Sequence, residues 1–284
     1  MFEEFKLWSG LVRLSHTVFA LPFALAGLLI GSGGLPTPRI FLLVLGCMVT
    51  ARNAAMAWNR LMDRDIDVKN ERTRRRHLPA GLVTPRAVAI FVAVNAALFA
   101  LFAALLNPLC FALSPVALLL VLGYTHTKRF TAFCHAALGL AIGISPLAAA
   151  IAASGHFLAV PALLGASLLF WMTGFDIVYA TQDESDDRAL GLHSVPAALG
   201  RRGALRLAAI LHAVVPPLLW LCGRLSGWGM AWNGICLFIV ALLLWMHLFR
   251  KGDDLSMQDG FFRANALVSL LVFLGTAWEM LFRS

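Results

Sequence analysis

The feature that most constrains the fold of this 284-residue chain is a series of nine apolar runs. A transmembrane helix needs roughly 20 apolar residues, and the runs approach that length. They cover residues 14–33, 40–60, 86–106, 109–124, 132–153, 158–181, 203–222, 229–249 and 261–281. Charged residues make up only 13% of the sequence, whereas soluble domains contain about 25%, and this excludes a soluble globular enzyme. The sequence predicts an all-α membrane protein with nine transmembrane helices in one domain, residues 1–284.

The first run is interpreted as a helix and not as a cleaved signal, because eight more runs follow it. Lys and Arg are concentrated in the connections after runs two, four, six and eight. Since basic residues are retained on the cytoplasmic side, we expect the amino terminus and these four loops in the cytoplasm. The carboxyl terminus is then outside. The net charge of +8 is assigned to this orientation and not to nucleic-acid binding.

The second run ends in a cluster of polar residues with helical spacing. Asn59, Asp63 and Asp67 are four residues apart, so they share one helical face. Carboxylates are costly near lipid unless a positive group lies between them. Mg²⁺ fits, because it is held by one or two carboxylates together with substrate phosphate oxygens. The alternative is a solvated loop helix whose acids pair with neighbouring basic residues.

A second acidic cluster follows the sixth run. Asp176, Asp183 and Asp187 are separated by seven and four residues, and Asp176 lies inside an apolar run, where a carboxylate is by default a functional candidate. The two clusters lie four spans apart, on the same side of the membrane, which suggests a parallel internal repeat. Two such clusters predict two metal ions that clamp a diphosphate, whereas the alternative is two unrelated charged loops.

Basic residues near these acids predict an anion site, because guanidinium and ammonium groups bind phosphate oxygens. The residues assigned to substrate binding are Arg72, Arg75, Lys128 and Arg129. Those assigned to membrane orientation alone are Arg74, Arg76, Arg250 and Lys251. His135 is assigned to packing at the start of run five.

Arg52 lies two turns before Asn59, inside the second apolar run. A guanidinium at such a position requires an anionic partner. The candidates are Asp176 and the carboxylate of a bound aromatic acid. Either partner places Arg52 in a cavity.

Two segments carry a resemblance to a known family. Residues 59–81, with Asn59-x3-Asp63-x3-Asp67, resemble the first signature of the UbiA-type intramembrane prenyltransferases, and residues 179–194, from Tyr179 through Asp183-x3-Asp187, resemble the second. Residues 16–23 and 124–131 are also similar. The resemblance covers the first 200 residues closely and the last three runs by hydropathy alone.

The resemblance implies helices around a central cavity that opens to the cytoplasm, and Mg²⁺-dependent transfer of a polyprenyl group from its diphosphate to an aromatic acid in ubiquinone or menaquinone synthesis. It implies a bacterial cytoplasmic (inner) membrane as the location. The partners are the two substrates and the lipid bilayer, with no nucleic acid and no obligate protein partner evident.

The resemblance also assigns roles to individual residues. Asp63 and Asp67 would hold one Mg²⁺, and Asp183 and Asp187 the other. Lys128 and Arg72 would hold the diphosphate, and Tyr179 is placed among the substrate-binding residues. Asn59 and Arg52 would orient the aromatic acid, with Asp176 near its ring.

One position departs from the family pattern. Asn59 is followed by Arg60, where many 4-hydroxybenzoate members have Asp, so a naphthoate-type menaquinone precursor is the alternative acceptor. The rival class is an intramembrane cation-coupled transporter, whose acids are expected near the midplane. A phosphotransferase that cuts CDP-alcohols would need Gly after its first acidic pair, and Asp67 is followed by Val68.

Overall fold

The computed structural model describes residues 8–11, 20–249 and 254–282. The described residues form helices and no strands. The helices are α1 (Leu21–Ser32), α2 (Pro38–Met62), α3 (Arg64–Asp67), α4 (Pro85–Leu106), α5 (Pro108–Thr127), α6 (Cys134–Gly143), α7 (Ser145–Ser154), α8 (Ala159–Ala180), α9 (Glu184–Ala189), α10 (Val195–Ala213), α11 (Val215–Leu225), α12 (Met230–Leu244) and α13 (Asp254–Leu281). A 3₁₀ turn, Thr181–Asp183, joins α8 to α9.

Eight helical segments are long and apolar enough to cross a membrane. They are Pro38–Met62, Pro85–Leu106, Pro108–Thr127, Cys134–Ser154, Ala159–Ala189, Val195–Leu225, Met230–Leu248 and Phe262–Leu281. They confirm the predicted runs two to nine. In place of run one the structure has the 12-residue helix α1, and residues 12–19 are outside the described residues. Nine spans therefore remain a prediction. The roles expected for Arg250 and Lys251, and the resemblance over residues 16–19, also fall outside the described residues.

Four of the long helices begin where a capping residue precedes a proline. In α2, α4, α5 and α10 the cap side chain accepts a hydrogen bond from a backbone N–H of the first turn, and a proline occupies one of the first two helical positions. The cap supplies an acceptor for an otherwise unpaired donor, and proline lacks the N–H that would be unpaired there. The four caps are Thr37, Thr84, Asn107 and Ser194.

Three spans end at the same mouth of the bundle. The last residues of α2, α5 and α8 are Met62, Thr127 and Ala180. The loops that follow them contact one another through side chains, as detailed below. The principal hydrophobic core lies among α1, α8, α11, α12 and α13, around the fully buried Trp171 and Trp232. This arrangement leaves the space between α2, α5 and α8 for polar residues.

Helices α1 and α7 cross at very short range. A Cβ atom added to Gly27 would lie 2.1 Å from the carbonyl oxygen of Pro146, and one added to Gly31 would lie 2.5 Å from that of Ala150. Small residues at membrane helix crossings allow backbones to approach in this way. Glycine is therefore required at both positions for the packing of α1.

We expect Gly27→Ala to lower the free energy of unfolding by about 1–3 kcal/mol, because the added methyl group collides with backbone and not with a movable side chain. Thermal melting of the purified protein in detergent measures the effect. The matched control is Gly123→Ala in α5, where a Cβ meets no atom within 4 Å and alanine improves helix propensity. Equal melting temperatures for the two variants would contradict the packing argument.

Candidate active site

Two adjoining cavities have volumes of about 370 Å³ each; one lies at the mouth formed by α2, α5 and α8, and the other lies behind it. The first, here called the polar chamber, is lined mainly by the loops and by the mouth ends of these helices. The second, the apolar chamber, is lined by hydrophobic residues of α2, α4, α5, α6 and α7. The residues that line both chambers are Ala20, Arg52, Met56, Tyr124, Leu138 and Ile142. The chambers therefore meet along these six residues, which are here called the common wall.

Ten of the twelve predicted site residues line the polar chamber. They are Arg52, Asn59, Asp63, Asp67, Arg72, Lys128, Asp176, Tyr179, Asp183 and Asp187. The first acidic motif, residues 59–67, and the second, residues 176–187, are thus brought to one chamber from α2, α3 and the segment from α8 to α9. The internal repeat suggested by their spacing stays a prediction.

Asp63 is the most buried of the first acidic motif, with 2% of its surface exposed. It caps the end of α2, and its Oδ2 accepts hydrogen bonds from Lys128 Nζ at 2.6 Å and from Asn59 Nδ2 at 2.9 Å. Burial raises the pKa of the Asp63 carboxyl, and the neighbouring Lys128 ammonium opposes that rise. Its buried Oδ1 has no hydrogen-bond partner within the described part of the chain. One acceptor atom of Asp63 is therefore available to a ligand.

Asp67 is held by the loop that follows α3. Arg76 Nη1 lies 2.7 and 2.9 Å from the two carboxylate oxygens of Asp67. The hydroxyl of Thr73 donates to the backbone carbonyl of Asp67 at 3.0 Å. These contacts fold residues 70–76 back over the first acidic motif.

Two contacts join this loop to the second acidic motif. Arg72 forms a bidentate salt bridge with Asp183, in which Nε donates at 3.0 Å and Nη2 at 2.6 Å. The Arg72 guanidinium also lies 5.9 Å from the ring centroid of Tyr179. Asn70 Nδ2 donates to Asp186 Oδ2 at 2.6 Å. The two acidic motifs are thereby connected through side chains of a single loop.

Asp176 faces the polar chamber from α8, and its partner is a histidine. His135 Nδ1 lies 2.6 Å from Asp176 Oδ2, and His135 is buried at the start of α6. His135 is packed as expected, and it also has a polar partner that was not predicted from the sequence. Two signals in the sequence were available: Asp176 required a partner inside an apolar run, and run five begins at the same mouth.

Two expectations about arginines are reversed by the structure. Arg76, assigned to membrane orientation, lines the polar chamber and pairs with Asp67. Arg75, assigned to substrate binding, is exposed and is outside the chamber wall. Residues 68–83 form turns and not a helix, so helical spacing could not predict which of two neighbours faces inward.

Arg129 also lies outside the chamber wall. Its guanidinium donates to both carboxylate oxygens of Asp65, at 3.0 and 3.2 Å, and to the carbonyl oxygen of Met62. The hydrogen bonds from Arg129 lower the pKa of the exposed Asp65 carboxyl. In the structure, Arg129 thus stabilises the end of α2 and not a ligand in the chamber.

The carboxylates of the chamber fit a metal ion that is shared with a ligand. Over the described ranges, no group of three or more His, Cys, Asp or Glu side chains is arranged to hold a metal by protein atoms alone. Mg²⁺ is instead bound through one or two carboxylates and phosphate oxygens. The buried, unpartnered Oδ1 of Asp63 is the kind of oxygen that such an ion uses. The donor set therefore fits Mg²⁺ bound together with a phosphorylated ligand.

Comparisons with known proteins agree with this geometry. Residues 20–271 match the UbiA prenyltransferase family. The 4-hydroxybenzoate octaprenyltransferase of Nitrosomonas europaea is 31% identical, over 99% of this chain and 97% of the relative. The enzyme of the same name from Methylobacillus flagellatus is 31% identical, over 99% and 96%.

Solved structures show the same fold. The apo structure of a UbiA homolog from Aeropyrum pernix K1 has 32% identity and a TM-score of 0.84, over 95% of this chain and 99% of that one. A UbiA homolog from Archaeoglobus fulgidus, solved with GPP and Mg²⁺, has 20% identity and a TM-score of 0.71, over 95% and 99%. The second likeness concerns the fold alone.

We expect Arg76→Ala to lower the free energy of unfolding by about 2 kcal/mol or more, because it leaves the buried Asp67 carboxylate without its cation. The matched control is Arg74→Ala, which removes an exposed pair with Glu71 and should cost less than about 1 kcal/mol. Unfolding titrations in mixed micelles compare the two variants. A loss for Arg76→Ala no greater than that for Arg74→Ala would show that the Asp67 pair contributes little.

Proposed function

The chain belongs to the UbiA prenyltransferase family, and from this premise we propose that it transfers a polyprenyl group from polyprenyl diphosphate to 4-hydroxybenzoate. The relatives named 4-hydroxybenzoate octaprenyltransferase support this choice of acceptor over a naphthoate-type acid. The product would enter ubiquinone synthesis, whereas a prenylated naphthoate-type acid would enter menaquinone synthesis. A cation-coupled transporter is not supported, because the acids lie at the mouth of the bundle and not at the middle of the spans.

The observation that carries the proposal is the common wall between the two chambers. A polyprenyl diphosphate has a highly charged head and a long apolar tail. The polar chamber contains the acids and bases that suit the head, and the adjoining apolar chamber suits the tail. The bond to be broken joins head to tail, so it would lie at the common wall.

The head group would be bound by cations that already face the acids. Lys128, Arg72 and Arg76 lie within hydrogen-bond distance of Asp63, Asp183 and Asp67, respectively. Ammonium and guanidinium groups donate strong hydrogen bonds to phosphate oxygens. Acid and base together therefore offer contacts to both parts of a magnesium diphosphate.

We assign one Mg²⁺ to Asp63 with Asp67 and a second to Asp183 with Asp187. Phosphate oxygens would complete the coordination. When bound, the ions supply positive charge that offsets the charge on the departing diphosphate. The protein's own cations act on the same charge from the loops.

The aromatic acid would bind beside the common wall. Arg52 lies in that wall, and a guanidinium matches a carboxylate with two parallel hydrogen bonds. Asn59 lies two turns further along α2, and its amide donates a hydrogen bond to the Asp63 carboxylate. Arg52 would thus fix the acid with its ring toward the polar chamber, where Asp176 is located.

The reaction then requires positioning and exclusion of water. As the bond from C1 of the prenyl group to the diphosphate oxygen lengthens, C1 becomes cationic and is attacked by the ring carbon ortho to the hydroxyl. Apolar wall residues, among them Met56, Leu138 and Ile142, keep water from that carbon. Holding both reactants in place is a large part of the catalytic effect.

The proposal includes the membrane orientation. The chamber mouth is formed by loops rich in Arg and Lys, and such loops are retained in the cytoplasm. We infer that the polar chamber opens to the cytoplasm of a bacterial inner membrane, with the amino terminus on that side and the carboxyl terminus outside. The bilayer would supply the prenyl donor, and no protein partner is needed for these steps.

We expect membranes that contain the protein to transfer label from a radiolabelled prenyl diphosphate to 4-hydroxybenzoate. Excess EDTA should abolish transfer and Mg²⁺ should restore it, because without the ions the chamber carboxylates would repel the diphosphate. Transfer that persists in excess chelator would overturn the metal assignment. If the protein transfers label only to a naphthoate-type acid, the proposed acceptor is wrong and the proposed prenyl transfer still holds.

The matched pair for this experiment is Asp63→Asn and Asp65→Asn. Asp63→Asn removes a carboxylate from the chamber and should lower kcat by about 100-fold or more. Asp65 is exposed and paired with Arg129, so Asp65→Asn should keep near-normal turnover. Similar activities in the two variants would remove Asp63 from the metal site.

For acceptor binding, we expect Arg52→Ala to raise the KM for the aromatic acid far more than the KM for the prenyl diphosphate. Leaving a buried carboxylate unpaired costs about 2–5 kcal/mol, or about 30-fold or more in binding. Lysine should restore binding poorly, because it replaces a planar fork by a point charge.

The control for Arg52 lies on the same helix. Arg39 is exposed at the opposite end of α2 and donates to the carbonyl oxygen of Leu105. Arg39→Ala should leave both KM values unchanged. Steady-state kinetics in one detergent compare the variants. Equal effects of Arg52→Ala on both KM values would remove Arg52 from acceptor recognition.

A further inference from the structure

His135 is placed between two groups that face it from different elements. Its Nδ1 lies 2.6 Å from Asp176 Oδ2 on α8, and its Nε2 accepts a hydrogen bond from the backbone N–H of Val195, the first residue of α10, at 3.2 Å. The side chain of His135 is 5% exposed and that of Asp176 is 28% exposed. The imidazole is therefore inside the protein, while the carboxylate reaches the chamber.

The partner at Val195 determines which nitrogen of His135 carries the proton. A backbone N–H can only donate, so Nε2 must present its lone pair. The proton of a neutral imidazole is then on Nδ1, from which it donates to Asp176. Asp176 Oδ2 thus accepts a hydrogen bond from a group whose orientation is set by the main chain.

The surroundings hold the imidazole in this position. The stretch from Lys128 to Cys134, the first residue of α6, is tied to the loop before α10 by two further contacts. The His193 N–H donates to the Lys128 carbonyl at 2.8 Å, and the Cys134 thiol donates to the His193 carbonyl at 3.4 Å. His135 is therefore fixed on both sides, and rotation of its ring would break one bond or the other. This is the arrangement by which enzymes orient a carboxylate for one direction of approach.

Building on the function proposed above, we propose that His135 is a positioning residue that holds the Asp176 carboxylate as the acceptor of the proton lost by the aromatic ring. In that step the bond from C1 to oxygen breaks and its electron pair leaves with the diphosphate. The ring carbon forms a bond to C1. The electrons of its C–H bond return to the ring, and the proton passes to Asp176.

The test uses the full-length protein in detergent and the variants His135→Gln, His135→Leu, Asp176→Asn and the double variant His135→Leu/Asp176→Asn. Glutamine has one amide that can donate to Asp176 and one carbonyl that can accept from Val195, so kcat should stay within about 3-fold of wild type. Leucine offers neither bond and should lower kcat by about 10- to 100-fold, with little change in the KM for prenyl diphosphate.

The double variant separates positioning from general stability. If His135 acts through Asp176, the double variant should be no slower than Asp176→Asn, because residues that act as a unit are not additive. Losses that multiply would overturn the inference, and so would His135→Gln being as slow as His135→Leu. If His135→Leu fails to fold, His135→Asn, whose shorter amide cannot reach both partners, takes its place.

The wild type decides between the two levels of the proposal. A wild type that transfers no prenyl group to any aromatic acid overturns the proposed function, and with it the role of His135. A wild type that transfers, with a glutamine variant that does not, overturns the role of His135 alone.

Discussion

Buried carboxylates at the ends of membrane helices require compensating positive charge, and the structure of the site depends on which residues supply that charge. Each partner comes from a different loop: Lys128 reaches Asp63, and Arg72 reaches Asp183. Because the partners are far apart in sequence, the ion pairs join three loops into one mouth. The same charges that make the mouth stable are the ones that a magnesium diphosphate would contact. Structural and functional requirements therefore coincide in these pairs.

The bundle behind the mouth explains why the chemistry is confined to one place. Cap residues with adjoining prolines start α2, α4, α5 and α10, and the close crossing at Gly27 packs α1 against α7. The principal core fills one side of the bundle, which leaves the chambers on the other side. Arg52 lies in the wall common to both chambers, so one charged residue marks the boundary between charged and apolar regions.

Much of this could be predicted from the sequence because its periodicity is strong. The apolar runs placed eight spans. Four-residue spacing grouped Asn59, Asp63 and Asp67, which line one chamber, although α2 ends at Met62 and Asp67 lies on α3. Prediction was poorer where chain direction depends on tertiary contacts. The choice between Arg75 and Arg76 depends on a turn without helical period, and His135 meets Asp176 across 41 residues of sequence. Spacing rules describe neighbours within an element and do not describe partners from two elements.

The bridges from Asn70 and Arg72 to the second acidic motif have a consequence for local opening. These side-chain contacts join two loops more than 100 residues apart in sequence, so detaching either loop leaves polar groups of the other without their partners. We therefore expect the backbone amides of the two loops to exchange as one cooperative unit, although the loops come from opposite halves of the chain. The entrance of the polar chamber would then open as one unit.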